Sequence, residues 1–257
     1  MPFPDSERVI YRKNPLIKVI CQLRFPPILK IEKEIPSEFQ EQIRNEFPNF
    51  NEKRESYGES LPYEIRNFIG NQETKNYEFI SEDNKWRVNL TRTFLALSTS
   101  NYNKWDEFWK KMENPLNTLI KIYNPSYYTR IGLRYIDEIN RKKLGNGKLE
   151  WKDLLKSWIL GLLSTNVNSI KENITEQKSI YRIRLKKSSN AKIITRYYKD
   201  RKNGKDIFKI DSDFYCNQKV KIGEEKVRLD YFNKQAGRLI RWIITEKLRE
   251  LMIPQKP

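Results

Sequence analysis

Apolar and polar residues alternate along IKVICQLRF (17–25): Ile17, Val19, Cys21, Leu23 and Phe25 form one set, and Lys18, Gln22 and Arg24 the other. A period of two marks a strand buried on one side. The same parity recurs in WRVNL (86–90), YTRIGLRY (128–135) and IYRIRLK (180–186). Elsewhere the period changes. Trp105, Phe108, Trp109, Met112, Leu116, Leu119, Ile120 and Tyr123 recur at three- and four-residue steps, as do Leu229, Phe232, Ala236, Leu239, Ile240, Ile243 and Ile244. Each set is one face of a long amphipathic helix. Pro115 predicts a kink or break in the first. Asp106 and Asp230 are expected in first turns, where a carboxylate suits the helix dipole.

The pattern predicts a strand over about 16–25, a helix over 36–47, two or three strands between 63 and 99, and a helix over 102–123. The order then restarts, with a strand over about 127–138, a helix over 151–163, strands between 176 and 216, and a helix over 227–252. Leu23-Arg24-Phe25 matches Leu133-Arg134-Tyr135, and WDEFW (105–109) resembles LDYFN (229–233). The expectation is an α+β fold of two similar β-α-β-β-β-α units, 1–124 and 125–257, with antiparallel sheets covered by helices on one face. The join at Asn124-Pro125 is too short for a flexible linker, so the units should pack as one body.

Charge changes what the free sheet face could do. The 257 residues carry 50 Lys and Arg against 33 Asp and Glu, a net charge of +17 that favours polyanions. At 12% aromatic, the chain has the large side chains a core needs. Cys21 and Cys216 sit in apolar, strand-like contexts and read as buried free thiols in a reducing compartment. The N-terminal stretch has no signal-peptide pattern, and the apolar run WILGLL (158–163) is too short to span a bilayer. A soluble, cytoplasmic protein with no membrane partner is expected.

Histidine is absent, which excludes Ser-His-Asp and Cys-His catalysis and His-ligated zinc. No Gly-rich phosphate loop is present and no cofactor is expected. Carboxylates remain: Asp137-Glu138, Glu224-Glu225, and Asp211 with Asp213, two apart and on one face of a strand, as a candidate Mg²⁺ pair. Acidic-x-Lys elements occur at Glu176, Asp83, Asp200 and Glu224, and a metal-dependent nuclease is one alternative. Glu32 and Glu34 in IEKEI (31–35) would be the Glu-x-Glu strand of a triphosphate tunnel enzyme, although the charged position that should follow is Ile35.

Strand parity places cations outward: Arg24, Arg87, Arg130, Arg134, Arg182, Arg184, Lys186, Lys192 and Arg196. Guanidinium forks suit phosphate oxygens, and Tyr197 and Tyr198 could stack on bases. Mobile cations in RKKLGNGK (141–148) and KDRKNGK (199–205) would surround them, with Asn203-Gly204 as a hairpin turn. A nucleic-acid partner, DNA or RNA, is the leading expectation, and no catalytic role is assigned. The alternatives are a solvated face with Arg24 and Arg134 in ion pairs, and a protein-interaction or immunity module with an acidic partner.

NPLIKVICQLRFPPIL (14–29), YYTRIGLRYIDEI (127–139) and FNKQAGRLIRWIITEKLREL (232–251) resemble a sporadically distributed prokaryotic family of unassigned activity. The resemblance runs through nearly the whole chain, most specifically at Gln22-Leu23-Arg24-Phe25-Pro26-Pro27. It implies the boundaries and a single-body fold and gives no catalytic residue. Sporadic distribution implies a setting in a defence or mobile-element system.

Overall fold

A computed structural model describes residues 2–5, 7–56, 73–141, 144, 149–186, 188–200 and 205–255. The elements are β1 (Ile10–Tyr11), β2 (Leu16–Arg24), α1 (Leu29–Lys33), α2 (Ser37–Ile43), β3 (Asn49–Ser56), β4 (Glu73–Ile80), β5 (Trp86–Thr91), β6 (Phe94–Thr99) and α3 (Trp105–Tyr123). There follow β7 (Arg130–Asn140), α4 (Trp151–Leu154), α5 (Ser157–Leu160), a 3-10 turn (Gly161–Ser164), α6 (Asn168–Asn173), β8 (Glu176–Arg184), β9 (Asn190–Asp200), β10 (Lys205–Cys216), α7 (Glu225–Ile243), α8 (Glu246–Leu251) and β11 (Pro254–Gln255).

The fold is α+β. Nine strands are hydrogen-bonded in the order β3-β4-β5-β6-β2-β7-β10-β9-β8, and β1 pairs with β11. From β2 the order runs outward through a meander, β6 to β3; from β7 it runs through β10 to β8. Each half of the sequence thus has an opening strand, a helical stretch, an antiparallel meander ending beside the opening strand, and a closing helix. The first meander has four strands, because β3 adds one. The chain forms two compact units: Met1–Val19 with Leu133–Cys216 and Val227–Pro257, and Ile20–Gly132 with Asn217–Lys226.

In the second of these units, Cys21, Leu23, Phe79, Val88, Leu90 and Leu97 bury the inward strand face with Phe108, Met112, Leu116 and Leu119 of α3. Trp86 and Trp105 pack on Phe108, with ring centroids at 5.8 and 5.7 Å. Helix α3 continues through Pro115, whose buried ring offsets the hydrogen bond it cannot donate. It ends at Asn124, left-handed at φ 42°. Asp106 stands in its first turn as expected.

In the other unit, Leu133, Tyr135, Ile193, Phe208, Ile210 and Phe214 turn inward with Leu229, Phe232, Leu239 and Ile243 of α7. Trp151 packs edge-on to Tyr197 at 5.8 Å. Two expected helices are shorter than their apolar patterns. The 151–163 stretch breaks at Leu155-Lys156, and the 227–252 stretch breaks at Ile244-Thr245. The cause is shared: Lys156 N–H donates to Ile243 O at 2.9 Å and Thr245 N–H to Leu154 O at 3.0 Å, so the two breaks pair with each other as extended backbone. Helix α7 starts at Glu225, so Asp230 is not in a first turn, and Glu225 holds that place.

Candidate polyanion-binding face

Register decides which outward cations have partners. In the unit containing Ile20–Gly132, Glu78 of β4 is 4% exposed and lies beside Arg87 and Asn89 of β5 and Lys53 of β3. Arg87 Nη1 donates to its Oε1 at 3.2 Å, Asn89 Nδ2 at 3.3 Å, and Lys53 Nζ sits 2.9 Å from its Oε2. Burial pushes this carboxyl up. The bonds from Lys53 and Asn89 and the charge of Arg87 outweigh that and hold it below the usual carboxylate range. Arg87 therefore points outward, as parity predicts, but its charge is matched. Gln22 Oε1 accepts from Arg24 Nε at 3.1 Å and from Arg130 Nη1 at 3.2 Å. The Arg130 guanidinium lies over Gly132, where a Cβ would meet it.

In the other unit, cross-strand pairing fixes the rows on the outward face. Lys178 of β8 is opposite Arg196 of β9, which is opposite Lys209 of β10. In the next rows Ile180 faces Ile194, then Asp211; Arg182 faces Lys192, then Asp213; and Arg184 faces Asn190, then Tyr215. Toward β7 the charges are matched. Arg134 grips Asp211 with both arms of its guanidinium, at 2.7 and 2.5 Å, which raises the affinity of Arg134 for its proton. Lys209 lies 3.4 Å from Glu138. Toward β8 they are not. Arg196 has a loose contact with Glu176 at 3.8 Å, while Lys178, Arg182, Arg184 and Lys192 make no ion pair with a described residue. Lys186 is exposed just past the end of β8.

On β8 and β9, Lys178, Arg182, Arg184 and Lys192 make no ion pair with a described residue, although Asp213 lies opposite Lys192, while Arg87 and Arg134 are bound to carboxylates. Tyr198 is 45% exposed on the outward face, whereas Tyr197 is buried against Trp151 and cannot stack on a ligand. Adjacent strand residues point to opposite faces, so the two tyrosines could not have acted together. Lys178 escapes the sequence reading, although carrying the β8 parity two steps further back finds it. The Asn203-Gly204 turn and most of the 141–148 loop lie outside the described residues.

The carboxylate candidates do not converge. Asp137 is buried inward, and Glu138 faces outward to Lys209. Asp211 and Asp213 share the outward face, but Arg134 occupies Asp211. Glu225 accepts from Gly223 N–H at 2.7 Å, and Asp83 from Ser81 Oγ at 2.6 Å and Lys85 N–H at 3.1 Å. Glu32 lies in helix α1, so IEKEI is not the strand that a triphosphate tunnel requires. Among the described residues no group of three or more Cys, Asp or Glu side chains is placed to hold a metal ion. Cys21 and Cys216 are free and buried, and burial pushes the Cys21 thiol up to about 12. No helix among the described residues is long and apolar enough to cross a membrane. No protein-family model, curated protein or solved structure matches the chain.

Proposed function

We propose that this chain binds nucleic acid through the outward face of β8 and β9, by phosphate contacts and without catalysis. One observation carries the reading: Lys178 faces Arg196 and Arg182 faces Lys192 directly across the two strands. Like charges in direct cross-strand pairs destabilise a sheet, and a bound polyanion removes that cost. Arg184 extends the row, and exposed Tyr198 at its other end offers a ring for a base. Recognition of this kind reads the backbone rather than the sequence.

Fluorescence anisotropy with labelled single-stranded RNA, single-stranded DNA and duplex DNA tests it. Affinity should fall steeply between about 50 and 200 mM salt. Changing Lys178, Arg182, Arg184 and Lys192 to Gln should flatten the log–log slope by roughly 0.7–0.9 for each phosphate that is no longer neutralised. The double variant R134A/D211A removes a matched pair and should leave the slope unchanged. Equal slopes in the wild type and the quadruple variant would refute the proposal.

One observation favours a second reading. Strand β8 is an edge of the sheet, and Ile180, 46% exposed, sits between Lys178 and Arg182. An acidic segment added as a further strand would meet the same cations and cover Ile180. Tight binding of an acidic partner protein, with no oligonucleotide binding even at low salt, selects this reading.

A further inference from the structure

Away from the strand face, the unit that contains α7 has a cleft of ≈ 420 Å³, within the range of small-ligand sites. Its walls come from the segment before β1, from Lys156 ahead of α5, from the end of α7 and from α8. The apolar side is Trp242, 37% exposed and fixed by stacking on Trp158 with ring centroids 4.2 Å apart. The cationic side is Lys156, Arg241 and Arg249. Glu246 bonds Arg249 at 3.1 Å, and Asp5 closes on Arg238, one turn before Arg241 on α7. Lys156 is exposed and makes no ion pair with a described residue. The buried Tyr11 hydroxyl, in the electrostatic reach of Arg241 and Arg249, has no hydrogen-bond partner among the described residues. Glu7 supplies an acceptor on the wall.

From this geometry we infer that the cleft binds a small aromatic phosphate of mononucleotide size. The phosphate meets Lys156, Arg241 and Arg249, the planar ring lies against Trp242, and Glu7 accepts from an amino group carried on the ring. Cations held together against Trp242 suit an anion that also has a face to bury. A bare anion leaves Trp242 unused, and a neutral ring leaves Lys156 without an ion pair among the described residues. Burial pushes Arg241 below its ordinary value; the charges of Arg238 and Arg249 add to this, and those of Tyr11 and Asp5 oppose it. The inference does not depend on the strand-face reading.

Isothermal titration of the full chain with AMP, adenosine and inorganic phosphate is the test. AMP should bind, with adenosine and phosphate each at least about tenfold weaker. The double variant K156Q/R249Q should weaken AMP by about tenfold or more. Lys156→Glu alone, at an exposed position that leaves folding intact, should do the same. The quadruple strand-face variant should bind AMP as the wild type does, so failure of one site is distinguishable from failure of the other. The inference is overturned by an absence of AMP binding at millimolar concentration, by phosphate or adenosine binding as tightly as AMP, or by AMP binding unchanged in Lys156→Glu.

Discussion

Asp137 is a carboxyl group on the buried face of its strand. It is 7% exposed on β7 and makes no hydrogen bond or ion pair with a described residue. Burial alone pushes its carboxyl up to about 7. In the unfolded chain it would titrate near about 3.9. The sign follows from which state holds the proton. Between those two values the folded protein keeps it and the unfolded chain releases it. Stability from this group is complete below about pH 4 and is lost as pH rises through about 7, a change on the order of 4 kcal/mol. Asp137→Asn cannot ionise, so urea melts should show it more stable than the wild type at pH 8, with the advantage fading toward pH 4.5. A difference independent of pH would contradict this account. The alternation that set Ile131, Leu133 and Tyr135 inward, taken one step further, also buries Asp137. Asp137 and Glu138, as neighbours on a strand, face opposite ways and cannot share a metal ion.

At the scale of elements, strands with one apolar face were legible and those without were not. β2, β5, β7, β8, β9 and β10 all announce themselves by alternation. β3 does not: NFNEKRES has Phe50 as its one large apolar residue, and even that is 40% exposed beside Tyr77 and Phe79. Its assignment comes from pairing with β4, a non-local fact. Helix ends failed for a related reason. The apolar period runs unbroken through Ile243, Ile244 and Leu248, and the break arises where Thr245 binds across to Asp153. Thr245 caps α8 by accepting from Leu248 N–H at 3.2 Å, and its hydroxyl donates to Asp153 O at 2.5 Å. Thr245→Ala loses the cap and the tether together, and should cost about 1–2 kcal/mol in urea unfolding. Thr245→Ser keeps both bonds and should recover most of it. Equal losses in the two variants would show that the methyl packing matters and the cap does not.

At the scale of the whole chain, the net charge of +17 was plain in the composition, but its distribution was not. Glu78 and Asp211 neutralise Arg87 and Arg134 from neighbouring strands, and cross-strand register cannot be read from single-strand parity. The β8 and β9 cations that make no ion pair with a described residue give two opposed responses to salt. Nucleic-acid affinity should fall as salt rises, because releasing counterions into a more concentrated solution gains less entropy. Folding stability should rise, because screening shortens from about 30 Å at 0.01 M to about 10 Å at 0.1 M and weakens self-repulsion. The quadruple Gln variant on β8 and β9 separates these effects. It removes both like-charge pairs, each costing about 0.2–1 kcal/mol, so at low salt its Tm should exceed that of the wild type by about 1–8 °C. The gap should close at moderate salt, while oligonucleotide binding stays weaker and less salt-dependent than that of the wild type. A variant that melts lower than the wild type at low salt would mean these cations stabilise the sheet, and the case for a polyanion that relieves them would fail with it.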